Sequence, residues 1–348
     1  MACSFGDYMI KYGNRGLYKS KVPCGRWGKK CSNNRNWPKY NEQLVVRGEF
    51  YLDFDFVTNW QKELKEMNKG KVGAPFKFPA SFIGWQAVWH QWLDYRGLEG
   101  IARKLSGFGL IPEYDDYTTI WYRVHNFKPD IQLLDYDDLE VGCDGTGLKT
   151  NNAGHYRIYK YGERTRKKHL VVIITGDVRR KKLIGVDAYI EGEGPSEPKV
   201  GMKHVDKIVW KGKRIKKYYG DGAFDTNDTF AQLEELGIEP AIPVHIDASP
   251  SESDPPRRRA VRTQFNLPSG PGRWKFHDTK KRRKRMQKRW RGRVKHGLRW
   301  PGTEGIFSAV KRRFGENTVS KKKENLIAEA IQRFWAYDII CDYALQRV

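Results

Sequence analysis

The stretch KYYGDGAFDT, Lys217–Thr226, closes a strand-like run and opens onto a helix. Ile215, Tyr218 and Tyr219 stand among Lys and Arg residues, small residues then surround Asp221, and an amphipathic pattern begins after Thr226. A carboxylate between two glycines at such a place has two readings. Asp-Gly is a favoured hairpin turn. It is also a way to hold an acid at a strand end, where a metal or a phosphate can reach it. The flanking elements choose between them.

Upstream, DLEVGCD, ending at Asp144, alternates like a strand, and HYRIYKYG, KKHLVVIITGDV and KKLIGVDAYIE read the same way. KRIKKYYGD is a further strand, TNDTFAQLEELGI a helix with Thr226 or Asn227 as its cap, and EPAIPVHI a short strand. A run of strands, then strand–helix–strand, then helices predict an α/β fold and exclude a sandwich. Residues 248–300 interrupt this pattern. From Lys280 to Arg299, 12 of 20 residues are Lys or Arg and none is acidic. Such runs are usually solvated faces or tails. Here the run interleaves with Trp290 and Trp300, as a segment that grips a nucleic-acid strand would. The C-terminal ENLIAEAIQRFWAYDIICDYAL predicts a long apolar helix in the core.

Residues 1–40 are basic, aromatic and rich in Gly and Asn, and read as an irregular arm. A helical pattern runs from Asn41 to about Asn68. SFIGWQAVWHQWLDY places Phe82, Trp85, Val88, Trp89 and Trp92 on one stripe, and GLEGIARKLSG follows as a second helix. DDYTTIWYRVHNF predicts a third helix with Asp115 or Asp116 as N-cap. Two helices, a turn and a third helix bearing Thr118, Thr119, Tyr122 and Arg123 fit a helix-turn-helix reader of DNA. They equally fit a plain helical bundle.

The 348 residues carry 65 Lys+Arg against 41 Asp+Glu, a net charge of +24. A surplus of that size attracts polyanions, nucleic acid first among them. No apolar run reaches the ~18 residues of a membrane helix, and the N-terminus does not read as a signal peptide. Five scattered cysteines, Cys3, Cys24, Cys31, Cys143 and Cys341, predict a reduced, cytoplasmic protein. Cys24 and Cys31 lack the second ligand pair a zinc site needs.

Three acids share a setting. Asp144 is followed by GTG, Asp221 by GAF, and Glu304 opens the helix TEGIFSAVKRRFGE. At 100° per residue, Ile306, Phe307, Val310 and Phe314 fall on one side of that helix, while Lys311 lies only ~20° from Glu304 around the axis. Two strand-borne aspartates and a helical glutamate can therefore meet at one rim of a sheet. The plain alternative is an exposed helix with a Glu and a Lys suited to its dipole.

The chain resembles the DDE transposases of prokaryotic insertion sequences. The residues that carry the likeness are VGCDGTGLK around Asp144, YYGDGAFDT around Asp221, and TEGIFSAVKRR with Glu304 and Lys311; YNEQLVVRGEFYLDFDFVTNW also looks like the start of such proteins. The resemblance implies an RNase H-like mixed sheet flanked by helices in a catalytic domain over 131–348, with its basic segment at 257–300, preceded by a helical DNA-binding domain at 41–130. It implies that Asp144, Asp221 and Glu304 hold two Mg²⁺ or Mn²⁺ ions about 3.5–4 Å apart, and that Lys311 contacts transposon-end DNA. It implies double-stranded DNA as partner, a homodimer or larger assembly on paired ends, and a nucleoid-associated location. Arg299, Arg282, Arg283, Arg285 and Arg289 are the further candidates for DNA contact. One departure stands out. Where the family has Tyr and Arg ahead of the Glu, this chain has Gly297 and Trp300, with Arg299 one position early. Three functions remain open on this reading: an active transposase, a nuclease of the same fold without strand transfer, and a non-catalytic DNA-binding descendant.

Overall fold

The structure, a computed structural model, describes residues 36–131, 138–150, 169–251, 254–268 and 278–348. Most of the arm, the expected strand HYRIYKYG, and Cys3, Cys24 and Cys31 lie outside these residues.

Among the described residues, five helices come first. α1 (Trp37–Glu49) is capped by Asn36, whose Oδ1 accepts from Lys39 N at 3.2 Å. α2 (Asp55–Met67) restarts after a 3₁₀ turn at Phe50–Leu52, so the helical run read from Asn41 to Asn68 is two helices with a break. α3 (Ala80–Trp89) is buried on every side from Phe82 to Val88 and stops before Trp92. The single stripe read from its sequence is thus a central helix wrapped by its neighbours, the expected state of a helix apolar all round. α4 (Tyr95–Gly107) is capped by Asp94, which accepts from Gly97 N at 2.7 Å. α5 (Tyr117–Asn126) is capped by Asp116, which accepts from Thr118 N at 2.8 Å and Thr119 N at 3.1 Å.

β1 (Asp138–Thr150), β2 (Leu170–Asp177) and β3 (Lys182–Ile190) form an antiparallel meander. α6 (Glu197–Trp210) then crosses to β4 (Arg214–Tyr219), and α7 (Asn227–Glu235) crosses to β5 (Glu239–Ala241). β1–β4 and β4–β5 are parallel, giving the order β3-β2-β1-β4-β5. α8 (Pro255–Phe265), α9 (Lys280–Arg293), the short α10 (Arg299–Gly302) and α11 (Glu304–Phe314) follow. β6 (Asn317–Thr318) pairs with the far end of β1, and α12 (Lys323–Arg347) completes the chain. The mixed sheet flanked by helices and preceded by a helical region is the architecture expected from the sequence.

Each face of the sheet has its own core. Leu139, Val141, Cys143, Ile173 and Tyr218 pack against Val200, Val205 and Ile208 of α6 and against α7 and α8. On the other face, Leu148, Leu170, Val172 and Ile174 join Ile306, Phe307 and Val310 of α11, Phe334 and Trp335 of α12, and the buried residues of α2 to α5 in one cluster. The helical region is therefore fastened to the sheet through α12. Ile120 and Val124 bury α5 in that cluster, each contributing roughly 1.5–3 kcal/mol. Gln332 Nε2 of α12 donates to Val124 O at 2.6 Å. Lys182 of β3, itself buried, pairs with Asp338 and Asp342 of α12. Removing one partner would leave a buried charge uncompensated.

Candidate active site

β1 and β4 share their last rung at Gly142 and Tyr219. Asp144 lies two residues past that rung on β1, and Asp221 two residues past it, beyond the end of β4. The two acids thereby reach one rim of the parallel pair. Asp144 was expected at the end of a strand. It lies inside one, because β1 continues through Gly145-Thr146-Gly147 to Thr150, held by β2 and then β6. What ends there is β4, which opens the space beside Asp144.

The Asp-Gly pair at 221–222 is no hairpin, since the chain passes through a 3₁₀ turn into α7 and returns as a parallel strand. Asp221 caps that turn, accepting from Ala223 N at 2.8 Å. Gly220 is required, because a Cβ there would come within 2.8 Å of the Phe224 ring, whereas a Cβ at Gly222 would meet nothing.

The segment around α10 brings the third acid. A Cβ at Gly176 would strike the Gly302 carbonyl at 2.5 Å, one at Gly302 would strike the Val178 backbone at 2.7 Å, and one at Gly142 would strike Val178 at 2.8 Å. These glycines allow residues 299–304 to lie directly on β1 and β2. His296, buried, bonds through Nε2 to Gly220 O at 2.9 Å and ties the same segment to the end of β4. Arg299, 8% exposed, then donates from Nη1 to Asp144 Oδ2 at 2.8 Å, and its Nη2 lies 3.6 Å from Glu304 Oε1. Glu304 opens α11, whose buried residues are Ile306, Phe307, Val310 and Phe314, the side assigned from its period.

Burial pushes the Asp144 carboxyl up from its ordinary value. Arg299 opposes this, while Asp221 and Glu304 add to it. A fourth acid belongs to the group. Glu197, in the first turn of α6, is raised by burial and then by the charges of Asp221 and Asp144. The sequence reading passed over both α6 and Glu197. The signal was there: Ser196 and Pro198 at a helix start, then Val200, Val205 and Ile208 on one face. Other acids near strands are engaged elsewhere. Asp177 accepts from the backbone of Arg179 and Arg180, Asp187 faces His204 and Lys203, and Asp225 is paired with Arg257.

The remaining candidates are spread over three elements. Lys311 lies half-buried on α11, two turns from Glu304. The basic segment is helix α9, and it divides its charges by face. Arg283 turns inward, donating to Ile246 O at 2.9 Å and Ala248 O at 2.8 Å, and Arg282 donates to Phe265 O at 2.9 Å and Asn266 O at 3.0 Å. Both also pair with Asp278. Arg285 and Arg289 stay exposed, with Lys281, Lys284 and Lys288. On α5, Tyr122 and Thr118 are exposed. The hydroxyls of Thr118 and Thr119 both donate to the Asp116 carboxylate, and Arg123 lies over the Phe76 ring at 4.8 Å. The site proper unites Asp144, Asp221, Glu304, Glu197 and Arg299, and α5 contributes nothing to it.

Among solved structures, the chain is similar to the Mos1 strand transfer complex, with 11% identity and a TM-score of 0.21 over 81% of this chain and 96% of that one. It is also similar to a pre-cleavage Mos1 transpososome, with 9% identity and a TM-score of 0.20 over 88% of this chain and 97% of that one. At such scores neither likeness carries weight here. The family model described as the transposase DDE domain matches residues 138–339, a span that begins with β1, includes all four carboxylates and ends within α12, and the chain belongs to that family.

Proposed function

We propose that the protein is an active transposase that binds the terminal inverted repeats of its element, cuts phosphodiester bonds there and joins the freed ends to target DNA. The observation that carries this reading is the meeting of Asp144, Asp221 and Glu304 at one rim, from two parallel strands and a helix. Carboxylates so arranged have a charge deficit that a divalent cation fills.

The donor set is chemically uniform. All its members are carboxylate oxygens, the hard donors Mg²⁺ and Mn²⁺ take. A cation already lies among them, the Arg299 guanidinium between Asp144 and Glu304. Among the described residues no three acidic, His or Cys side chains converge closely enough on one point to hold an ion. The residues fit the ion in donor type, and the cation that lies among them here is Arg299. Asp144, Asp221 and Glu304 would hold two ions. When bound, such ions lower the pKa of an attacking water or 3′-hydroxyl and stabilise the leaving oxygen.

In either step a new phosphorus–oxygen bond forms opposite the one that breaks. Hydrolysis leaves a 3′-hydroxyl and a 5′-phosphate, and transfer exchanges one phosphodiester for another. Lys311 acts as a point charge on the terminal phosphates. The exposed face of α9 grips backbone without reading bases, since charge alone carries no sequence code. Thr118 and Tyr122 of α5 offer groups to a groove, with Thr119 and Arg123 behind them. The helical region 41–130 then serves recognition, and 131–348 the chemistry.

The experiment is incubation of the full chain with its own terminal DNA, labelled target DNA and Mg²⁺, followed by analysis of joined products. Joined products support a transposase; cuts without joining support a nuclease of the same fold.

A further inference from the structure

Resting on the reading of this chain as one that works on DNA, we propose that the open cavity between the start of α4 and the exposed side of α5 is a stacking site for unpaired DNA bases, in single strands or turned out of a duplex.

The cavity measures about 310 Å³ and is lined by Asp94, Tyr95, Arg96, Tyr117, Thr118 and Trp121. This is the lower end of the size range of small-ligand sites, and an open, mostly apolar slot suits a flat ring. The pattern of α5 explains its walls. Ile120 and Val124 take the buried side of the helix, and Tyr117 and Trp121 follow next around the axis, ~40° apart and about one turn along. Both rings stay in contact with solvent, 39% and 40% exposed. Arg96, in the first turn of α4, lies over the Tyr117 ring, 4.6 Å from its centroid. Trp121 is braced by His125, with ring centroids 4.9 Å apart, and Tyr95 by His90, 4.2 Å apart. The Arg96–Tyr117 pair and Trp121 are therefore walls held in place before any ligand arrives.

Exposed rings scattered singly need no partner. These are grouped, and cations stand among them. Arg103 lies over Tyr114 at 5.4 Å, about 10 Å further along α4 than Arg96 over Tyr117. Cations interleaved with rings suit a strand of unpaired bases, since every base offers a π-face and every phosphate a charge. Arg103 is paired with Glu99, but among the described residues Arg96 forms no ion pair, so its donors are available to a phosphate. The polar groups beside the cavity are already committed. Asp94 accepts from Gly97 N, and the Thr118 hydroxyl donates to Asp116. Little is left to read a base edge, so binding here should tolerate any sequence. A paired duplex keeps the faces of its bases stacked within it, so the cavity selects bases that have left the stack. Tyr122 does not line the cavity and remains available to a groove.

The test titrates the full-length protein at physiological salt with three labelled probes: an oligothymidylate, a duplex carrying one bulged base, and the same duplex fully paired. Trp121→Ala should weaken binding of the first two by at least about fivefold, the effect of losing one base–aromatic stack, and leave the paired duplex unchanged. Arg96→Gln should act in the same direction. Trp121→Phe keeps a ring and should keep most of the affinity. Loss on the oligothymidylate alone or on the bulged duplex alone still supports the site and tells which source supplies the base. Equal weakening on all three probes makes this face a groove or backbone contact and overturns the stacking site, leaving the proposed function standing. Unchanged binding of Trp121→Ala to every probe overturns it too, as does a loss in Trp121→Phe equal to that in Trp121→Ala. A smaller mass of Trp121→Ala than of the wild type by light scattering makes the face a contact between copies and overturns it as well. A wild type that binds none of the three probes overturns the reading as a DNA-binding protein along with it.

Discussion

Arg299 donates to Asp144 at 2.8 Å across 155 residues of sequence, and the same guanidinium stands 3.6 Å from Glu304. A single arginine thus sets its positive charge between two acids of the site. Replacing it with glutamine removes the counter-charge from a largely buried carboxylate. Arg299→Gln should lose about 2–4 kcal/mol in chelator-treated buffer and regain much of this when Mg²⁺ is added. Urea denaturation with and without Mg²⁺ measures both. Equal loss under the two conditions would separate Arg299 from the metal.

Glu304 and Lys311 lie near one face of α11 but have different proposed duties. A neutral amide is a poor ligand for a hard cation, so Glu304→Gln should remain inactive at saturating DNA. Lys311→Ala loses a point charge on phosphate, and higher DNA concentration should restore at least part of its cleavage rate. Rates measured against DNA concentration distinguish the two. Rescue of Glu304→Gln would send the search to another acid, Glu197 before any other.

The inward and outward charges of α9 should behave oppositely. Neutralising Lys284, Arg285, Lys288 and Arg289 together should flatten the dependence of log affinity on log salt by up to about 3–4, with stability unchanged. Arg283→Ala should instead destabilise the fold by about 1–3 kcal/mol, because the Ile246 and Ala248 carbonyls lose their donor. Salt titrations of DNA binding and thermal unfolding, run on both variants, check the division.

A pH effect is expected far from the site. Asp115, 2% exposed, accepts from Gln86 Nε2 at 2.8 Å, and its Oδ2 has no partner. Burial pushes its carboxyl up from 3.8 to about 6. The folded chain therefore holds this proton more tightly than the unfolded one. The contribution is fully present below pH 3.8 and is lost as pH rises through about 6. The whole effect is about 3 kcal/mol at most. Asp115→Asn should remove this dependence and raise stability at pH 7 relative to the wild type, with little difference at pH 4. An identical pH profile in the two proteins would contradict it.

The parts of this molecule legible in the sequence are those where local pattern and tertiary environment agree. β4 alternates, a Gly-Asp-Gly break follows, and a capped amphipathic helix begins, so Asp221 could be assigned to a strand end. Ile306, Phe307, Val310 and Phe314 set the face of α11, which positioned Glu304. Asp144 was recognised, but its strand was read as too short, because Gly145-Thr146-Gly147 has the composition of a turn. The hydrogen bonds of β2 and β6 override that local preference. Glu197 was missed because its helix follows a Gly-, Glu- and Pro-rich stretch that reads as linker. Its approach to Asp144 depends on the crossover from β3 to β4, which no local pattern encodes. Likewise, the sequence could count the charges of α9 but not see that carbonyls at 246, 248, 265 and 266 engage Arg282 and Arg283.

The most direct test is to map cuts made by the full-length protein in the DNA flanking its own gene, with Mg²⁺ or Mn²⁺, beside Asp144→Asn and Asp221→Asn. Phosphate-contacting bases carry most of the affinity, while these carboxylates carry the chemistry. Both variants should therefore bind that DNA as the wild type does in a gel-shift titration. The wild type should leave 3′-hydroxyls at the element's termini, in a metal-dependent manner, and the two variants should leave none. Wild-type levels of cutting by either variant would contradict the assignment of the site.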